Sequence, residues 1–136
     1  MFEQLLPYTP YLALLLRVVM GVTMVMHGYP KLKNPKQTIG WTKGLGVPVV
    51  ATWLAIILEF FGGIALIIGL IVPIVAFFIM LEMIGNVSLK KTKMKSPYIA
   101  GQNPAAYEID ITYLLLAVTL IVLGAGIFSI DALLGL

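Results

Sequence analysis

The sequence predicts an all-α integral membrane protein, a four-helix bundle running up-down-up-down through the bilayer. Three observations carry that expectation. Hydrophobic residues fill 60% of the 136 positions and charged residues only 11%, where soluble domains carry about 25% charge. A mean hydropathy of +1.03 leaves more apolar surface than one small core hides, so much of it must face lipid. The apolar residues fall into stretches of about crossing length, and the lysines are confined to alternate connections between them.

The chain reads as one transmembrane domain, 1–136. The first span is expected over about 11–28, opened by Thr9-Pro10, a capping residue followed by a proline suited to a first helical turn. Met1-Phe2-Glu3-Gln4 puts no basic residue ahead of it, so it reads as a retained span and not a secretory signal. The second is expected over about 48–69 and the third over about 73–89, a helical hairpin whose turn lies in Gly69-Leu70-Ile71-Val72-Pro73. The fourth is expected over about 104–128, opened by Asn103-Pro104 as cap and proline.

Alternating helix directions place the connections Tyr29–Val47 and Lys90–Gln102 on one side of the membrane. They hold Lys31, Lys33, Lys36 and Lys43, and Lys90, Lys91, Lys93 and Lys95, while the opposite side has no lysine. The positive-inside rule makes the lysine side cytoplasmic and puts both termini outside, in a plasma membrane. A basic cluster of Lys31, Lys33, Lys90 and Lys91 then serves to hold anionic headgroups or to dock a partner. Trp41, Tyr29, Tyr98 and Tyr107 suit an interfacial aromatic belt.

Several functions are excluded. Without cysteine the chain offers no thiolate catalysis, disulfide exchange or Fe–S ligation, and one histidine, His27, rules out two-histidine metal or haem sites. No spacing matches a metal site, and the basic residues form no stripe suited to nucleic acid. The informative residues are ionisable groups inside apolar stretches, each costing about 2.5–3.5 kcal/mol on insertion scales. Arg17, Glu59 and Glu82 are expected at overlapping depths, with Arg17 and Glu59 as an intramembrane charge pair and Glu82 left to carry a proton. At 100° per residue Ala13, Gly21, Met24 and Gly28 share the face of Arg17, and Ala51, Ala55, Gly62 and Gly63 flank Glu59. Gly85 and Asn86 lie beside Glu82, and Thr112, Thr119 and Gly126 align under Glu108. Turned inward, these stripes describe a bundle with a polar centre. His27 is expected near Glu108 and Asp110, where a histidine–carboxylate pair would handle protons or bind a quinone carbonyl. The competing expectations are a polar clamp that only fixes helix register and an interfacial histidine that only hydrogen-bonds.

The sequence resembles the DoxX family of small four-helix membrane proteins over nearly its whole length. The resemblance rests on Arg17, His27-Gly28 with Lys31-Leu32, Leu45-Gly46-Val47-Pro48, Leu58-Glu59 leading to Gly62-Gly63, Leu66-Ile67-Ile68-Gly69-Leu70, Gly124-Ala125-Gly126, and Ser129-Ile130-Asp131-Ala132. It implies a subunit like the membrane component of thiosulfate:quinone oxidoreductase, with Arg17 and Glu59 as the charge pair and His27, Gly28 and Lys31 as a cytoplasmic-side cluster. The function expected first is a membrane subunit of a quinone-linked, sulfur-oxidising type of oxidoreductase. It would work in the lipid bilayer beside a membrane or redox partner, or as a homo-oligomer. Glu82, His27 and Glu108 are the candidate proton or quinone site; quinone is the only cofactor expected, and no metal. The alternatives are a scaffold or assembly factor without catalysis and a small proton-coupled transporter.

Overall fold

The computed structural model describes residues 2–101 and 105–136. After a short 3-10 segment, Phe2–Tyr8, the chain forms α1 (Thr9–Lys33), α2 (Pro35–Gly44), α3 (Val49–Ile68), α4 (Val72–Thr92), α5 (Glu108–Leu123) and α6 (Ile130–Leu134). The described residues contain no strand. The helical run Leu6–Lys33, α3 and α4 are each long and apolar enough to cross a membrane. At 1.5 Å per residue α3 spans about 30 Å, the thickness of bilayer hydrocarbon, and α5 about 24 Å.

The helix ends depart from expectation for local reasons. Helix α1 passes Gly28 and runs through Pro30 to Lys33; the apolar pattern marks where a helix leaves hydrocarbon, not where its backbone bonds end. The connection beyond it, for which no helix was expected, contains α2. Helix α5 stops at Leu123, short of Phe128, because Gly124 at φ +69° and Gly126 at φ +75° turn the chain back. Its expected opening at Asn103-Pro104 lies outside the described residues, and the helix itself begins at Glu108.

Glycines set the packing of α1 against α3. A Cβ added to Gly21 would meet the Gly63 carbonyl oxygen at 2.6 Å, and one on Gly28 the Phe60 nitrogen at 2.6 Å, so the backbones touch where side chains are missing. As the number rises along α1 it falls along α3, so the two are antiparallel. Helix α4 returns after the turn at Gly69 (φ +75°), and α5 packs along α4 with the segment beyond it folded back to the start of α4.

The face expected to be buried on α1 is buried: Ala13, Arg17, Gly21, Met24 and Gly28, joined by Met20. The polar centre is not there. Met20, Met24, Ala76, Ile79, Ala117 and Leu120 fill the middle of the bundle, each 2% exposed or less. Buried polar groups need partners, and these sit at the two ends of the bundle, where backbone carbonyls, amides and other charges are within reach. On α5 the inward residues are Asp110, Ala117 and Leu120. Thr112 and Thr119, expected inside, are exposed, and their hydroxyls donate to the carbonyls of Glu108 and Leu115 one turn back. Threonine satisfies its own hydroxyl this way, so it need not face a protein interior.

Candidate functional site

Two polar clusters cap the apolar middle. At the end opposite the lysines, Arg17 is 1% exposed and donates to the carbonyl oxygens of Leu66 and Phe128. No carboxylate of the described residues forms an ion pair with it; the acidic group whose charge it feels is Asp131, from α6, and not Glu59. The Asp131 carboxylate accepts from the amides of Ile71 (2.5 Å) and Val72 (3.0 Å), and so caps α4 from sixty residues away. It also holds Ile71 in a left-handed conformation (φ +46°) costly for a β-branched residue. The Asp131 amide donates to the Gly69 carbonyl at 2.9 Å. Arg17 and Asp131 together therefore fasten α1, the α3–α4 turn and the C-terminal segment. A neighbouring hollow of about 670 Å³ is walled mainly by apolar residues, including Ile74, Val122 and Ile127.

The expected Arg17–Glu59 pair is not formed. A Cβ on Gly28 would lie 2.9 Å from the Glu59 carbonyl carbon, so Glu59 sits level with Gly28. Gly28 is eleven residues from Arg17, about 16 Å along the helix. Counting residues from the span boundaries misjudged the register, which the glycine contacts decide.

Glu59 instead pairs with Lys31, one turn beyond Gly28. The residue lies in a π-helical turn, Leu58–Gly62, within α3; such turns widen the backbone locally and recur at functional sites. Glu82, on α4, faces the same place, with Glu59, Lys31 and Asp110 as its charged neighbours. Lys90, near the end of α4, donates to Asp110 at 2.6 Å and to the Ala106 carbonyl at 3.3 Å. One oxygen each of Glu59 and Glu82 is buried without a hydrogen-bond partner.

These groups line a cavity of about 970 Å³ at the lysine-bearing end, with Met24, Ile56 and Met83 among its apolar walls. Its size falls within the range of small-molecule sites, and the mix of apolar wall with a few polar groups is characteristic of them. Helix α2 closes one side: Thr38, Trp41 and Thr42 line the cavity, and the Thr42 and Thr52 hydroxyls share a 2.7 Å hydrogen bond. No group of three or more metal-ligating side chains occurs among the described residues.

Of the residues singled out from sequence, Glu59, Glu82, His27, Lys31 and Lys90 meet at this cavity. His27 stands edge-on to Tyr113, ring centroids 6.3 Å apart, in place of the expected carboxylate. Glu108 is turned away from the cavity; its carboxylate accepts from the Ala100 amide at 3.2 Å and holds the loop before α5. Lys33 and Lys91 are exposed and line no part of the cavity. Sequence reasoning missed the cavity role of Tyr113, the lid helix α2 and the link from Asp131 to Arg17. Only the last left a trace, since Asp131 stands in one of the motifs that carry the family resemblance.

Comparisons with known proteins agree with this architecture. A protein of Bacillus subtilis (strain 168) named "Putative oxidoreductase CatD" is 28% identical over 118 residues, covering 87% of this chain and 83% of its own. The Escherichia coli (strain K12) inner membrane protein YqjF is 30% identical over 125 residues, covering 89% of this chain and 90% of its own. No solved structure matches. The model of the DoxX family matches residues 12–89, from early in α1 to near the end of α4. With that match over more than half its length, and with helices built to lie in lipid, the chain is a membrane protein of the DoxX family.

Proposed function

We propose that this chain is the membrane subunit of a quinone-linked oxidoreductase complex, and that the cavity at its lysine-bearing end receives the quinone headgroup. The observation that carries the proposal is the cavity itself. It combines apolar walls with two ion pairs, Lys31–Glu59 and Lys90–Asp110, and with two buried carboxyl oxygens that lack partners. Unmet acceptors of this kind suit a site completed by a ligand or by protons. The name of the Bacillus subtilis relative, an oxidoreductase, points to the same chemistry.

A bound quinone supplies an acceptor for two electrons and two protons. His27 and Tyr113, neighbours on the cavity wall, are the groups to hydrogen-bond its carbonyl oxygens. Lys31 and Lys90 hold Glu59 and Asp110 in place, and Glu82 is the carboxyl free to give up a proton. The chain has no cysteine, and the electrons reach the quinone either directly from a substrate or from a redox group on a partner. The exposed Lys33 and Lys91 offer a basic surface for that partner or for anionic lipid. On this reading α5 makes a fourth crossing, the lysine-bearing end faces the cytoplasm of a plasma membrane, and both termini lie outside.

The test is native mass spectrometry of the protein extracted gently from its own membranes, with quinone measured in the same sample. Retained quinone, lost on His27→Ala with the melting temperature unchanged, is the expected result. A protein carrying only phospholipid and no redox partner overturns the proposal.

A further inference from the structure

We infer that Glu59 and Glu82 hold one proton between them, and that this proton exchanges only with the lysine-bearing side of the membrane. The inference rests on the proposed quinone site only for the proton's destination. The cavity cluster has three carboxyls, Glu59, Glu82 and Asp110, and two partly exposed cations, Lys31 and Lys90. Lys31 is bonded to Glu59 and Lys90 to Asp110, so Glu82 has no cation of its own. A buried charge without a partner is costly, and a carboxyl in that position is neutralised by a proton.

The other titratable groups facing the cavity do not change the balance. His27 on α1 is exposed and stacks edge-on with Tyr113 of α5. Lys93, just past α4, also lines the cavity but is exposed, so water screens its charge, and the residues that α2 contributes, among them Thr38 and Thr42, carry none. Glu59 is 4% exposed, so the shared proton is shielded from bulk water. Away from the lysines the way is closed by Met20, Leu66, Ile79 and Leu120, each fully buried. A proton therefore enters and leaves by the cavity mouth, and the chain by itself moves none across the membrane.

Infrared spectroscopy of the purified full chain reads the protonated carboxyl directly. The parent should show a buried carboxylic acid band. The band should vanish in Glu82→Gln, and also in Glu59→Gln, where Lys31 turns to Glu82 and ionises it. It should grow about twofold in Lys31→Met, where both carboxyls need a proton. No band in the parent, or a band indifferent to all three substitutions, overturns the shared proton. If Glu59→Gln does not fold, Glu82→Gln and Lys31→Met decide the question between them. Liposomes holding only this chain should show proton flux equal to empty ones; flux above that overturns the one-sided exchange. If no quinone binds while the band behaves as described, the functional proposal falls and this one stands.

Discussion

Replacing Asp131 tests the tertiary link that holds one end of the bundle together. Asp131→Ala removes two charge-assisted hydrogen bonds, to the amides of Ile71 and Val72, each worth about 1.5–3 kcal/mol. It also removes the nearby negative charge that Arg17 feels, with Arg17 1% exposed and Asp131 4% exposed. The two hydrogen bonds share one carboxylate, so the expected loss is about 4 kcal/mol, a large part of a typical stability of 5–15 kcal/mol. Asp131→Asn keeps one acceptor oxygen and should lose about half as much. The assay is unfolding of the purified protein in mild detergent by added SDS. A double variant, Arg17→Met with Asp131→Ala, should be less damaged than the two single losses summed, by about 1–3 kcal/mol. If Asp131→Ala unfolds like the parent, or the double variant is simply additive, the two residues do not act as a unit and the account of this end fails.

Further outcomes follow from the packing. Gly28→Val should destabilise the protein by about 2 kcal/mol or more, because its Cβ meets α3 backbone at 2.6 Å. Gly85→Ala, with nothing within 4 Å, should stabilise α4 by about 0.5–1 kcal/mol; the same SDS titration separates the pair. Thr42→Val breaks the 2.7 Å bond to Thr52 and should cost about 1 kcal/mol. Hydrogen exchange should quicken in α2, and unchanged exchange there would mean that the bond does not hold the lid. Ile71→Gly relieves a left-handed conformation at a residue 40% exposed and should raise stability by about 1 kcal/mol in thermal melts.

Much of the candidate site was legible because it depends on local pattern. The inward face of α1 follows from helical periodicity, and Ala13, Arg17, Gly21, Met24 and Gly28 are buried on it as spacing requires. Glu59 and Glu82 stood out because charges are scarce in apolar stretches, and both line the cavity. The α5 face was misread because a threonine stripe resembles a polar interior while each hydroxyl bonds to its own helix. Helix α2 was hidden because its polar sequence has no apolar stripe and none of its residues is buried.

The sequence by itself determined the class of protein, the segregation of lysines to alternate connections and the scarce ionisable residues inside apolar stretches. These follow from composition and from periodicities of a few residues. Only the tertiary structure decided who pairs with whom. Arg17 bonds the carbonyls of Leu66 and Phe128, near Asp131 rather than Glu59, because the glycine contacts slide α3 until Glu59 is level with Gly28, and because Gly124 and Gly126 turn the C-terminal segment back over the α3–α4 turn. Electrostatic partners depend on distance in space, and helix register is set by backbone contacts between residues tens of positions apart, which local sequence patterns do not record.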